Sequence, residues 1–139
     1  LGLVGSEMCI RDRDYRQEVL NLVNAQRAKY GLTALEMGDD ALTAAAQTRA
    51  EEISVVNSHV RPDGSKCFTV LKDYGVTDTP TGENAAWGSV SPEEVVNAWM
   101  NSEGHRANIL NPEARKMSVG YYYNSNSTWG HQWIQIFTK

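Results

Sequence analysis

The C-terminal end of the chain constrains its fold most, because its side chains alternate in the pattern of β-strands. Met117, Val119 and Tyr121 alternate with Ser118 and Gly120, and a second alternating run covers 129–136. The turn-forming residues Asn and Ser fill 124–127, between the two runs. Alternation on both sides of a turn cluster predicts a hairpin of two antiparallel strands.

The earlier part of the chain follows helical spacing instead. Apolar residues recur every three or four positions in 14–30 and in about 40–55, which predicts two helices. Gly31 suits the end of the first helix, and Asp39 or Asp40 can cap the second. A short helix is expected over 68–74, and an extended segment between two glycines over 82–88.

The clearest local signal for a helix start is the segment SPEE at 91–94. Ser91 can cap the helix, Pro92 suits its first position and Glu94 completes a capping box. This third long helix is expected to carry Trp99 inward and to end near Ser102. Helices therefore come first and in the middle, and antiparallel strands close the chain, which predicts an α+β fold.

Length and composition set further bounds. The 139 residues fit one domain, and 41% hydrophobic with 22% charged residues is ordinary for a globular protein. The net charge of −4 provides no basic stripe for phosphates, so we expect no nucleic-acid partner. No run of eighteen apolar residues occurs, so no membrane span is expected.

Residues 1–13 are treated apart from the fold. The stretch VGSEMCIRDR resembles the translation of a sequencing adaptor, and it has no apolar period or capping signal. We expect 1–13 to be a non-native or disordered lead-in and 14–139 to be the domain. The lead-in also lacks the apolar core of a secretory signal, an absence that carries little weight for localisation.

Cysteine usage predicts no disulfide framework. With the lead-in set aside, Cys67 is a single cysteine, and the simplest interpretation is a small, partly buried apolar side chain. A Cys9–Cys67 disulfide is the less favoured alternative.

Three turn segments carry titratable side chains beside ordered elements, which is where binding sites tend to lie. They are Ser58-His59 with RPDG at 61–64, the tripeptide GEN at 82–84, and GHRANIL at 104–110. Together with LVNAQR at 22–27, PEEVVNAW at 92–99 and the Val119-Gly120 pair, they resemble the CAP superfamily of SCP domains. The single cysteine and the form GHRANIL are similar to its bacterial branch.

The resemblance implies a three-layer α-β-α sandwich with a broad cleft lined by two histidines and two acidic residues. His59 and His105 match the histidines, and Glu83 matches the first acid. The second acid of the family pattern lies three residues after the helix tryptophan, where this chain has Ser102. Glu103 is a doubtful substitute, because on a regular helix it would point about 100° away.

Two imidazoles and one carboxylate suit a divalent metal such as zinc, with a fourth position open to water. We therefore expect His59, Glu83 and His105 to form a metal site. The ligands come from distant loops, unlike the compact HExxH arrangement, so binding is expected to be weak and exchangeable. Neutral imidazole is required, so affinity should fall below about pH 6.5.

Each site residue also has a structural interpretation. His59 can bond a carbonyl after a helix, and Glu83 can tie two loops together through backbone amides. Ser58, Asn84, Ser102 and Arg106 are expected to line or support the cleft, with Asn84 most suited to bonding local backbone. His131 lies within an alternating strand and is left out of the site, Trp99 and Trp133 are assigned to the core, and Trp87 is a possible cleft residue.

The resemblance implies a secreted, non-catalytic binding module for a lipid, a cell-wall fragment or a protein, and we expect a monomer. The main alternative is a metal-dependent hydrolase acting on extracellular peptides, esters or cell wall, in which a metal-activated water attacks. A third possibility is a purely structural domain. No GxSxG elbow or cysteine-protease motif is present.

Overall fold

The computed structural model describes residues 10–139, with side chains for residue 12 and from residue 14 onward. Most of the predicted lead-in, including Cys9, lies outside the described residues, and Cys67 is a free thiol. The elements in chain order are α1 Ile10–Lys29, β1 Glu36–Met37, α2 Asp40–Ile53, α3 Thr69–Asp73, β2 Pro80–Trp87, α4 Pro92–Met100, α5 Glu103–Ile109, β3 Lys116–Tyr123 and β4 His131–Thr138.

The four strands form one sheet in the order β1-β3-β4-β2. The predicted hairpin is confirmed, since β3 and β4 pair antiparallel with Tyr121 opposite Trp133. Strand β2 pairs antiparallel with the other side of β4 and forms one edge of the sheet. The two-residue strand β1, which the sequence did not predict, pairs parallel with β3 at the other edge.

The sheet lies between two layers of helices, which confirms the α+β sandwich. Odd-numbered strand residues such as Val119 and Trp133 pack in one apolar cluster with α1 and α4. Even-numbered residues such as Ile134 and Ile136 pack in a second cluster with α2 and α3. Successive residues of a strand point to opposite faces, so each strand contributes to both cores.

Helix boundaries agree with the caps read from the sequence at α2 and α4. Asp39 accepts a hydrogen bond from the Leu42 amide at 3.0 Å, and Ser91 accepts one from Glu94 at 3.2 Å. The Glu94 carboxylate bonds the Val90 amide at 3.1 Å, one residue before the position expected of a capping box.

Two helix predictions are wrong in their limits. Helix α1 begins at Ile10, before the expected start at residue 14, because helical backbone can extend past the end of an apolar stripe. Helix α4 ends at Met100, and a separate helix α5 begins at Glu103. Ser102, expected near the end of one helix, is instead the extended N-cap residue of the next.

The LVNAQR segment of α1 holds the adjoining loops through two polar side chains. The Asn24 amide donates to the carbonyl of Leu35 at 3.0 Å and accepts from its backbone N–H at 2.7 Å. The fully buried Arg27 donates to the carbonyls of Thr33, Ile109 and Asn111. These bonds position β1 and join α1 to the end of α5.

None of the helices within residues 10–139 combines the length and the apolar character needed to cross a bilayer.

Close packing of α2 on β3 predicts that Gly120→Ala destabilises the fold. A β-carbon at Gly120 would overlap the carbonyl of Ala46 and lie 2.7 Å from the Gln47 amide nitrogen, which is backbone and cannot swing away. The expected loss in the free energy of unfolding, measured by urea denaturation, is about 1–3 kcal/mol. Gly104→Ala is the matched control, because a β-carbon there meets nothing within 4 Å and alanine favours a helix. Equal stabilities of the two variants would contradict the packing argument.

Candidate functional site

Glu83 of strand β2 is the centre of the candidate site. Its side chain is 2% exposed and points toward α2, where it meets the fully buried guanidinium of Arg49. Arg49 Nε donates to Glu83 Oε2 at 2.8 Å, and Arg49 Nη2 donates to Oε1 at 3.1 Å. This two-point pairing of a guanidinium with a carboxylate supplies both charge and fixed geometry.

His59 lies in the turn after α2 and rests against the same carboxylate. Its Nδ1 is 2.7 Å from Glu83 Oε1, while 54% of its side chain remains exposed. No described residue bonds Nε2, so one edge of the ring is fixed and the other is open. A carboxylate behind one imidazole nitrogen selects the tautomer and orients the ring.

A chain of alternating charges extends from Arg49 away from His59. Arg49 Nη1 donates to Glu52 at 2.9 Å, and Arg61 donates to the same carboxylate at 2.7 Å and to Asp73 at 2.9 Å. Arg49 Nη2 also donates to the carbonyl of Ser58 at 3.0 Å. The turn that carries His59 is thus held on both sides by arginines.

His105 approaches from the opposite layer, in the first turn of α5. Its carbonyl accepts a hydrogen bond at 3.1 Å from the amide of the buried Asn84, which also bonds Gln135 at 3.1 Å. The half-buried His105 ring has no hydrogen bond to any residue with a described side chain. Asn84 is therefore a supporting residue inside the sandwich, as the sequence suggested.

Asn108 and Gly82 are supporting residues that the sequence analysis did not identify. The Asn108 amide donates to Asn84 Oδ1 at 2.8 Å and to the carbonyl of Glu83 at 3.3 Å. A β-carbon at Gly82 would lie 2.5 Å from Asn108 Oδ1, so only glycine leaves room for this side chain. The GEN and GHRANIL segments are therefore joined as one unit across the sheet edge.

The charges of the site shift its pKa values in different directions. The hydrogen bond from Glu83 raises the pKa of His59, against burial and the charge of Arg49. Burial alone would raise the pKa of Glu83, but the bonds from His59 and Arg49 outweigh it and lower that pKa. Burial lowers the pKa of His105, and a charge on His59 lowers it further, so the two imidazoles are close enough to interact.

The arrangement differs from a site in which Glu83 is an open metal ligand. Both oxygens of Glu83 are engaged by Arg49 and His59. In the part of the chain with described side chains, no three His, Cys, Asp or Glu residues form a cluster that could hold a metal. The three-ligand set stays a prediction, and the geometry places Glu83 behind His59 instead.

The other predicted residues occupy the border of the site. Ser58 accepts a hydrogen bond from the Val60 amide at 2.9 Å. Arg106 Nη1 donates to the carbonyl of Met100 at 3.1 Å and so fixes the corner between α4 and α5. Glu103 is exposed at the start of α5, and because α4 has already ended, the 100° argument against it does not apply.

Three further side chains were assigned from the sequence to the core or to the margin. Trp99 and Trp133 are buried, as predicted. The half-buried Trp87 is tied to α2, since its indole N–H donates to the carbonyl of Ile53 at 3.0 Å. His131 Nδ1 bonds the hydroxyl of Tyr121 at 2.7 Å, in the strand where it was expected.

Cys67 contacts the same cluster, which the sequence did not suggest. The half-buried thiol lies close to the carboxylate of Glu83. Burial, followed by the negative charge of Glu83, raises the pKa of Cys67 to about 11. The thiol therefore stays protonated at neutral pH and acts as a small packing group rather than a nucleophile.

The His59–Glu83 contact predicts a pH-dependent contribution to stability. Because the folded pKa of His59 is raised, its contribution is complete below the unfolded value of about 6.5 and disappears as pH rises through the folded value. Wild type should therefore exceed His59→Gln in free energy of unfolding by more at pH 5.5 than at pH 9. Urea denaturation at both values measures the difference, in which contributions shared by the two proteins cancel. A difference independent of pH would contradict the ion pair.

The Arg49–Glu83 pair predicts strong coupling between the two positions. Arg49→Met leaves a buried carboxylate without its guanidinium, which should cost about 3–5 kcal/mol in the free energy of unfolding. Adding Glu83→Gln removes the unpaired charge, so the double variant should be more stable than Arg49→Met alone. Urea denaturation at pH 7 measures both. If the second substitution lowers stability further, the pair does not act as inferred.

Comparisons with known proteins match this geometry. Residues 20–137 match the Cysteine-rich secretory protein family, CAP. The "Uncharacterized protein YkwD" of Bacillus subtilis is 42% identical over 122 residues, covering 86% of this chain and 47% of that protein. A second relative, the "Uncharacterized membrane protein YlbC" of the same organism, is 33% identical over 79% of this chain and 33% of its own length. The chain thus spans less than half the length of these curated relatives.

Solved structures show the same fold. An extracellular SCP-domain protein from Bacillus anthracis superposes with a TM-score of 0.82 at 25% identity, over 100% of this chain and 45% of the other. An outer surface protein of Borrelia burgdorferi gives a TM-score of 0.73 at 25% identity, over 94% of this chain and 93% of the other. With the family match over most of its length, this chain belongs to the CAP family of SCP domains.

Proposed function

We propose that this domain is an extracellular binding module that holds a divalent transition metal between the imidazoles of His59 and His105. One observation carries the proposal: the buried, ionised Glu83 bonds Nδ1 of an otherwise exposed histidine at 2.7 Å. This carboxylate–histidine pair is the arrangement that commonly supports a metal-binding imidazole from behind.

The support behind His59 favours binding over a purely structural role. Glu83 already has two hydrogen bonds from Arg49, so it needs no histidine to satisfy its burial. A ring placed there with half its surface in solvent contributes little packing. The bond instead points Nε2 outward and raises its basicity, which increases its strength as a ligand.

The donor set fits a weak site rather than a closed one. Two imidazoles suit zinc or a similar divalent ion, with the remaining positions available to water or to a ligand group. With Glu83 engaged behind His59, no third side chain of the described cluster completes the shell. We infer an exchangeable ion that adds affinity for a bound ligand, such as a cell-wall fragment, a lipid or a protein.

An extracellular location is supported by the descriptions of the structural neighbours. One is described as an extracellular protein and another as an outer surface protein. An exposed metal-binding face is also consistent with a module that meets its ligand outside the cell.

Binding is preferred over serine-based hydrolysis because no described contact activates a serine. Among the described contacts, the Ser58 hydroxyl bonds only the Val60 amide, and Ser102 makes no capping bond through its side chain. A serine nucleophile requires a base within hydrogen-bond reach. A metal-dependent hydrolase would use the same two histidines, and the variants described next test it as well.

Calorimetric titration with zinc chloride is expected to give binding heat with wild type and none with the double variant His59→Ala/His105→Ala. His131→Ala is the matched control, since it removes an imidazole that bonds Tyr121 and lies outside the site. Wild-type affinity should rise with pH through the raised pKa of His59, because the proton and the metal compete for one nitrogen.

The same three proteins distinguish the alternatives. Equal heats for wild type and the double variant would remove the metal proposal. Hydrolysis of ester, peptide or peptidoglycan substrates by wild type, lost in the double variant and retained in His131→Ala, would replace the binding module with a hydrolase.

A further inference from the structure

An open groove of about 540 Å³ lies beside α3, between this helix and the segment that leads into β2. Its apolar lining comes from four side chains: Phe68, Leu71, Val76 and Pro80. None of His59, Glu83 or His105 lines it, so the groove is separate from the histidine site. Its volume lies in the range of small-molecule pockets.

Two lysines give the groove a positive rim. Lys66 and Lys72 both line it and are exposed, and neither has an ion-pair partner among residues with described side chains. The acidic residue of the lining, Asp78, is paired with Lys116 at 3.1 Å. An apolar trough bordered by two unpaired cations suits a ligand with an apolar body and an anionic end.

We propose that this groove binds a single-chain anionic amphiphile, a long-chain fatty acid in monomeric form. The recessed position of the apolar floor favours a single flexible chain over a membrane surface. Leu71 is 3% exposed, so a flat bilayer could not reach it, whereas one acyl chain can enter the groove. The carboxylate then lies near the exposed ammonium groups of Lys66 and Lys72.

The walls of the groove are held by contacts that do not involve a ligand. Arg61 donates to the hydroxyl of Thr69 at 3.0 Å, and the Val76 amide donates to the carbonyl of Leu71 at 2.9 Å. The Lys139 amide closes the far end by donating to the carbonyl of Thr79 at 2.8 Å. A groove formed in advance spares the ligand much of the entropic cost of ordering the protein.

Apolar burial should dominate affinity, and the lysines should add selectivity for the anion. Each methylene removed from water strengthens binding about fourfold, so chain length should have a steep effect. Exposed ion pairs contribute modestly, and reversing both lysines to glutamate should weaken fatty-acid binding about tenfold or more.

The test uses fluorescence of cis-parinaric acid, displaced by palmitate below its micelle concentration. Wild type should bind, decanoate should displace the probe far less well than palmitate, and Lys66→Glu/Lys72→Glu should bind about tenfold more weakly. Lys29→Glu/Lys139→Glu is the control with the same change in net charge, and it should stay within about twofold of wild type. Equal weakening in both pairs would overturn the proposal.

A second variant tests the groove without changing charge. Thr77 is exposed and lines the groove, and Thr77→Trp should block the apolar trough and reduce palmitate binding. The variant His59→Ala/His105→Ala should bind palmitate like wild type, so this result is independent of the metal proposal. Palmitate binding that survives Thr77→Trp, or binding to phosphatidylglycerol vesicles without binding to monomeric palmitate, would overturn the assignment.

Discussion

The buried pair of Arg49 and Glu83 is the interaction on which the candidate site depends. It places a full negative charge inside a β-sheet, which is unfavourable unless the charge is paired and hydrogen-bonded. Arg49 satisfies both conditions with a planar fork that meets two carboxylate oxygens at once, a geometry that lysine cannot provide. The same guanidinium reaches the carbonyl of Ser58 and so also sets the turn that carries His59.

Strand β2 converts this pair into a site shared by two layers of the sandwich. Because side chains alternate along a strand, Glu83 points to the layer of α2 while Asn84 points to the layer of α5. One residue supports His59 through its ring, and the next supports His105 through its backbone carbonyl. The position of β2 at the sheet edge lets both histidines reach solvent beside it.

The sequence predicted the elements whose signals are local. Alternation located β3 and β4, the Ser91 cap located the start of α4, and the α+β class followed from their order. The limits of α4 and α5 were missed because Gly104, which suggested a helix end, lies inside a helix instead. Strand β1 was missed because it consists of two residues held by a side chain of α1, a contact without any periodic signature.

The site was predictable in membership more than in roles. Turn positions and the family resemblance identified His59, Glu83 and His105, and the structure describes each of them beside strand β2 or its neighbours. The pairing of Glu83 with Arg49 joins residues 34 positions apart, and Arg49 occupies a helical stripe that only suggested packing. Whether a carboxylate is an open ligand or a buried support depends on such a partner, which spacing along the chain does not reveal.

The two imidazoles are consequently not equivalent, although the sequence presents them as a pair. His59 has a carboxylate behind it and retains its proton to higher pH, whereas the half-buried His105 loses its proton more readily. The family pattern would place an acid where this chain has Ser102, so that position supplies no negative charge to offset the burial of His105. His105 is therefore available as a neutral ligand over a wider range of pH, and protonation of His59 controls whether both nitrogens can act together.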